Sequence, residues 1–313
     1  DLGARHLQIG VDILQVGQGL PAGRVVLVPS GANSAPMQLP GPVGSSFQLD
    51  GPSFCPEPTF VCTQITAVVP GPGRGPEVVA GRPTDMLTIV GADTAFDQVP
   101  LNAFAVNGAS ITVALPGATS PNSPRGINIT NGGADDLNPG DLLMLVRGSA
   151  STLVQVTTIV NQQVFFADGD SLGLNQSTAA SGNAKTLYDG PDTNADTPSG
   201  CCVATTATRI RIITYYLDVT TDPLRPRLVR RMNNGDPLNF DNALGTVVAF
   251  DIEDLQVTYD IADGVTNPSN VRMDDSDLDG SGACAPNPCS PNQIRKMNLL
   301  LAGRSRQPMR GTN

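Results

Sequence analysis

The sequence predicts an α+β protein, an N-terminal helix followed by mostly antiparallel sheet, and three observations predict it. Helical spacing of apolar residues is confined to Asp1–Gly17, and beyond it the apolar runs alternate with polar residues as half-buried strands do. The composition suits strands joined by long turns: 33 glycines, 27 prolines, no tryptophan and only 15% charged residues. A hydrophobic content of 40% over 313 residues is enough to pack a core, which argues against wholesale disorder.

The elements follow in order. In Asp1–Gly17 (DLGARHLQIGVDILQVG), Leu2, Ile9, Ile13 and Val16 share one side at steps of seven, four and three. Arg5, Gln8, Asp12 and Gln15 lie mostly on the other, and Gly17, Gly19 and Pro21 break the pattern. Arg24–Pro29 is a short strand. Residues 31–83 form a long Pro/Gly/Ser segment with one alternating piece, Thr63–Val69. Strands are then expected at Asp85–Val90, Ser110–Leu115, Asp141–Arg147, Leu153–Val160 and Gln163–Ala167. Val203–Leu217 is the longest strand and pairs with Arg227–Met232 across the Pro-containing 222–226 loop. Thr246–Asp254 reads as helical or irregular before a strand at Gln256–Ile261. In Gln293–Ser305 (QIRKMNLLLAGRS), Ile294, Lys296, Asn298 and Leu300 point one way, and Arg295, Met297, Leu299 and Leu301 the other.

Charge and cysteines narrow the function. A net charge of −10 argues against nucleic acid as a partner, because phosphate binding needs concentrated Lys and Arg. The six cysteines fall in three close pairs, Cys55/Cys62, Cys201/Cys202 and Cys284/Cys289. Even numbers in a loop-rich chain favour disulfides and an oxidising compartment. Zinc is the competing reading, but the only histidine is His6. Adjacent Cys201 and Cys202 bond to each other only with strain, so connectivity stays open. No run of about twenty apolar residues spans a membrane, and no signal peptide is visible.

The ExLQxxYD strand at Ile252–Asp263 and the IRxxNLxLxxRS strand at Gln293–Ser305 together resemble the C-terminal sheet of PilW-type minor pilins, components of the type IV pilus. ATRIRIITYYLD and RPRLVRR precede them in the order seen in that family, GDLLMLVRGSASTLVQVT resembles its inserted β region, and Asp85–Val90 its D-x-L-T-[IV] element. Ala4, Arg5, Leu7, Asp12, Ile13, Leu14 and Gly17 loosely match the end of its N-terminal helix. About half the chain is covered, most densely after residue 203. The resemblance implies a pilin-like fold, an N-terminal helix packed on an antiparallel sheet. Its core would be 1–90 plus 201–313, with a β-rich insertion at 91–200. It also implies a non-enzymatic subunit at the cell surface, anchored in the inner membrane before assembly through a hydrophobic helix absent from this sequence. That subunit would contact other pilins through the helix and its sheet edges, starting assembly or forming the tip. The related type II secretion pseudopilin and a secreted calcium-binding adhesin module are the alternatives.

Three motifs invite other chemistry. Asp275, Asp277 and Asp279 before Gly280 form the first half of an EF-hand-like loop and are candidate Ca²⁺ ligands, the one cofactor the sequence suggests. Pro286 stands where the closing Glu belongs, and a solvated acidic turn competes. A second acidic loop, Asp189–Asp196, reads as plain loop. Gly169–Leu172 spells the GDSL string of an esterase family, but Ser171 needs a histidine late in the chain and none exists. Arg209, Arg211, Arg225, Arg227, Arg230 and Arg231 are numerous enough to meet an acidic partner. Pairing with local carboxylates is the commoner fate of such arginines.

Overall fold

A computed structural model describes residues 5–12, 26–27, 37–42, 64–93, 99–105, 108–113, 137–147, 150–160, 163–175, 187, 205–233 and 245–304. The backbone is organised around its longest strand, β14 (Thr205–Asp218), in which β-branched and aromatic residues alternate with Thr and Arg. One side of β14 is partnered first by β10 (Leu142–Arg147) and then by β15 (Arg227–Met232). The other side takes β8 (Val99–Phe104) and then β7 (Met86–Ala92). The 13-stranded sheet extends from these through β4 (Val68–Gly71) on β7, β9 (Ser110–Val113) on β8 and β11 (Ala150–Gln155) on β10. β12 (Thr158–Val160) and β13 (Gln163–Phe165) continue past β9, β2 (Val26–Leu27) and β3 (Gln64–Ile65) past β11, and β16 (Thr246–Phe250) past β15. Pairing is antiparallel except between β2 and β11. The β5–β6 hairpin (Glu77–Val79, Arg82–Pro83) stands apart.

A second, three-stranded sheet has the order β1 (Arg5–Asp12), β18 (Ile294–Gly303), β17 (Ile252–Ile261). Leu255, Val257, Tyr259, Met297, Leu299 and Leu301 from this sheet meet Val68, Leu87, Leu217 and Leu228 of the large one in a shared core. Two further cores line the large sheet, one around Leu142, Ile210, Ile212 and Tyr216, the other around Leu143, Val154, Val164 and Phe166.

Four expectations are corrected. Among the described residues the fold is mostly β, with 51% strand and 5% helix, and no N-terminal helix packs on a sheet. Residues 5–12 are strand β1, paired antiparallel with β18 from Arg5↔Gly303 to Asp12↔Lys296. The segment carries both periods: Leu7, Ile9 and Val11 alternate with Gln8, Gly10 and Asp12. Gly10 and the β-branched pair disfavour helix, and the edge of β18 supplies a backbone partner. Tertiary pairing therefore overrides the helical stripe. Second, β16 forms where helix or irregular chain was expected, and Asp251 (φ 59°) separates it from β17. Third, the faces of β18 change over within the strand. Ile261 pairs with Ile294 and Asp260 with Lys296, so Arg295 bulges out and Ile294 joins Met297 in the core. The strand expected over 153–160 is also divided, between β11 and β12.

Candidate functional site

The sequence-predicted sites are reached first through α1 (Asp275–Asp279), which follows the bridge between Val271 and Tyr259. Asp274 caps its start, accepting from Ser276 and Asp277 amides, and Gly280 (φ 81°) ends it. Positions i and i+2 of a helix do not face each other, so Asp277 turns away from Asp275 and Asp279. Asp277 is buried and accepts from the backbone N–H of Met273 (2.9 Å) and Ala283 (2.8 Å). Asp279 accepts from Ser281 N–H at 2.8 Å. These carboxylates fold the loop onto itself, and among the described residues no three His, Cys, Asp or Glu side chains gather as a metal site requires. The arrangement does not fit Ca²⁺, which needs six or more oxygens around one point.

Cys284 and Cys289 form a disulfide, with Cα atoms 5.6 Å apart. Both are buried beside Leu278 and Met273, and Cys289 N–H donates to the carbonyl of Asp277 at 3.0 Å, pinning the loop to α1. Cys55, Cys62, Cys201, Cys202 and the 189–196 loop lie outside the described residues.

The GDSL string is a turn. The Asp170 carboxylate accepts from the amides of Leu172, Leu174 and Asn175, and Ser171 Oγ donates to Gln155 Oε1 at 3.1 Å. An amide oxygen does not take up a proton, so this contact gives the serine no general base. Burial pushes Asp170 above the usual carboxylate range, with the three amide bonds opposing it. His6 lies on β1, in the other sheet.

The arginines meet carboxylates of their own chain. Arg209 is buried against Asp93 (2.7 Å) and Asp141 (3.5 Å), and Arg211 shares Asp93 at 2.7 Å. Arg227 holds Asp218 at 2.7 Å. Burial raises Asp218, but bonds from Thr220, Arg227 and Thr221 outweigh it and hold the carboxyl at about 2. Arg231 donates to the carbonyl of Gly41. Arg209, Arg211 and Arg227 are thus paired with carboxylates of their own chain.

What the sequence did not flag is a clasp at Asp85. This buried carboxylate accepts from Gly73 N–H (2.7 Å), Val257 N–H (2.7 Å) and Arg272 Nη2 (2.9 Å), while its own N–H donates to the Leu255 carbonyl. Arg272 also donates to Gln256 Oε1 at 3.0 Å, and Arg82 pairs with the neighbouring Asp254 at 2.9 Å. Burial pushes the Asp85 carboxyl up, against the bonds from Gly73, Val257 and Arg272. Burial, and then the Asp85 charge, push the enclosed Tyr259 hydroxyl up as well. The network joins the start of β7 to β17, and so fastens the two sheets together.

The same bonds close the outer edge of β17. Leu255 and Val257 are taken by Asp85, Tyr259 exchanges both backbone bonds with Val271, and Ile261 N–H donates to Pro268. β16 has no such cover among the described residues. It pairs with β15 on one side, and on the other the last bond is Arg304 N–H to the carbonyl of Asp251, at its end. Thr246–Phe250 (TVVAF) carries no charge and no Pro, two of the features that usually guard an edge, and its one irregularity is a bulge at Val248 opposite Leu228 and Val229. Val248 is 52% and Phe250 55% exposed, and Leu224 on the adjoining turn is 81% exposed. Arg225 lies over the Phe250 ring at 5.2 Å and near Asp251 at 3.6 Å. Arg304 spans Glu253 (3.4 Å) and the Leu224 carbonyl (2.7 Å). The result is an apolar edge, bulged at Val248, with a neutralised rim. Its sequence signal is the five-residue uncharged run, which the competing assignment of helix concealed.

No protein-family model, no curated protein and no solved structure matches the chain. Among the described residues no helix is long and apolar enough to cross a membrane.

Proposed function

We propose that this chain is a non-catalytic subunit of an extracellular filament, a minor pilin of the type IV pilus that helps start assembly or forms part of the tip. The sequence motifs that resemble minor pilins are the basis. The observation that carries the reading further is the uncharged, exposed edge of β16 beside the β17–β18 pair that bears those motifs. An open strand edge joins chains through backbone bonds without a catalytic centre. The Cys284–Cys289 disulfide supports an oxidising location. Because residues 5–12 are a strand, the proposal draws on the globular sheets alone and assigns no filament-core helix to this segment.

The test is genetic. In cells that carry the gene, the protein is expected in filaments sheared from the surface, and deleting the gene is expected to remove most of them. Normal filament numbers in the deletion strain, with the protein missing from sheared material, would contradict the proposal.

A further inference from the structure

We propose that the outer edge of β16 accepts a strand from a different protein chain. That strand is uncharged, carries β-branched or aromatic side chains at alternate positions, and comes from a chain of neutral or positive net charge. This deepens the filament-subunit reading above and rests on it.

The edge sets the backbone requirement. β16 is five residues long and bonded to β15 on one side only among the described residues, with a bulge at Val248, so the outward N–H and C=O groups on either side of the bulge are the ones an extended segment meets. Its two faces set the side-chain requirement. Ala249 packs toward the core shared by the two sheets, whereas Val248 and Phe250 stand in solvent with Leu224 nearby. An added strand therefore places alternate apolar residues over Val248 and Phe250 and continues the covered face with the others.

Charge selects the occupant. Arg225 and Arg304 at the end of the edge are paired with Asp251 and Glu253, so the rim calls for no acidic partner. The chain as a whole carries −10, so a second copy meets net repulsion while a neutral or basic chain is attracted. β17, next in sequence, offers no comparable place, because Asp85, Val271 and Pro268 occupy its outer edge.

The experiment uses the full chain and a synthetic nine-residue peptide of alternating valine and threonine with a lysine at each end. A companion peptide carries glutamate in place of both lysines. Binding is followed by fluorescence anisotropy, and oligomeric state by sedimentation. The lysine-flanked peptide is expected to saturate below about 1 mM and the glutamate-flanked one to bind several-fold more weakly. Val248→Lys is expected to weaken binding about tenfold, and Phe250→Ser to weaken it as well, with both variants keeping the parent circular dichroism spectrum.

No binding at about 1 mM, as an edge already taken by the chain itself would give, overturns the proposal. So does equal binding by the Val248→Lys variant, or a dimer in sedimentation that Val248→Lys dissociates, which would make the occupant a second copy. Peptide binding without the protein in sheared filaments defeats the filament reading alone. The protein in filaments without peptide binding defeats the edge assignment alone.

Discussion

β16 and β17 are separated by one residue, Asp251, and yet their outer edges have opposite fates. Along β17 the chain supplies its own partners: a buried carboxylate, a returning loop and a two-bond bridge through Val271. Along β16 none is supplied among the described residues, and the exposed positions are Val and Phe rather than Lys or Pro. Both strands are rich in β-branched and aromatic residues, so strand propensity does not separate them. The difference lies in a residue distant in sequence, Asp85, whose two oxygens reach β17, β4's following turn and Arg272. One edge is closed by Asp85 together with Val271 and Pro268, and the neighbouring edge has no such partners among the described residues.

The largest test of this contrast is Asp85→Ala. It leaves the amides of Gly73 and Val257 and the Arg272 guanidinium without their acceptor, and should cost about 3–5 kcal/mol in urea denaturation. A loss below about 1 kcal/mol would mean that the sheets are held by apolar packing alone. Gly245→Ala comes next. Gly245 (φ 81°) turns the chain into β16, and an added Cβ would stand 2.7 Å from Val229 and 2.8 Å from the Arg230 carbonyl. A cost of about 2 kcal/mol is expected, read as a lower thermal midpoint. Replacing Cys284 and Cys289 together by serine should cost about 2 kcal/mol, since the loop they close is short. An unchanged midpoint would show that the α1 loop is fixed by Asp277 without the crosslink.

Acid separates the two regions differently. Asp218 is held at about 2 against an ordinary 3.8, so its stabilisation is complete above the ordinary value and is lost as pH falls from there toward 2. Asp218→Asn should therefore flatten the loss of stability over that window, measured by denaturation at a series of pH values. A parent and variant that fall in parallel would deny Asp218 this role. The smallest effect is expected at the open edge. Val248→Lys should change stability by no more than about 0.5 kcal/mol, because among the described residues no strand is paired on that side.

The strands were largely legible in the sequence because their alternation is local. β7, β10, β14, β15 and the β17–β18 pair lie where the pattern puts them. Leu7, Ile9 and Val11 fit a strand as well as Leu2, Ile9 and Ile13 fit a helix, and only the edge of β18 decides between them. The Arg295 bulge, which reassigns Ile294 to the core, likewise depends on the register with β17. Asp275, Asp277 and Asp279 spelled a cation loop by spacing, but helix α1 rotates the middle carboxylate inward. Asp85 gave no signal of its own, since what marks it is contact with residues about 170 positions away, at Leu255 and Val257.

The most direct test of the open edge is residue-resolved amide hydrogen exchange on the monomer. Closed β17 should show slow exchange at Val257, Tyr259 and Ile261, whose N–H groups are bonded to Asp85, Val271 and Pro268. In β16, slow amides bonded to β15 should alternate with fast ones facing outward, interrupted at the Val248 bulge. Uniformly slow exchange from Thr246 to Phe250 in the free monomer would contradict the account, because it would mean that this edge, too, is already paired.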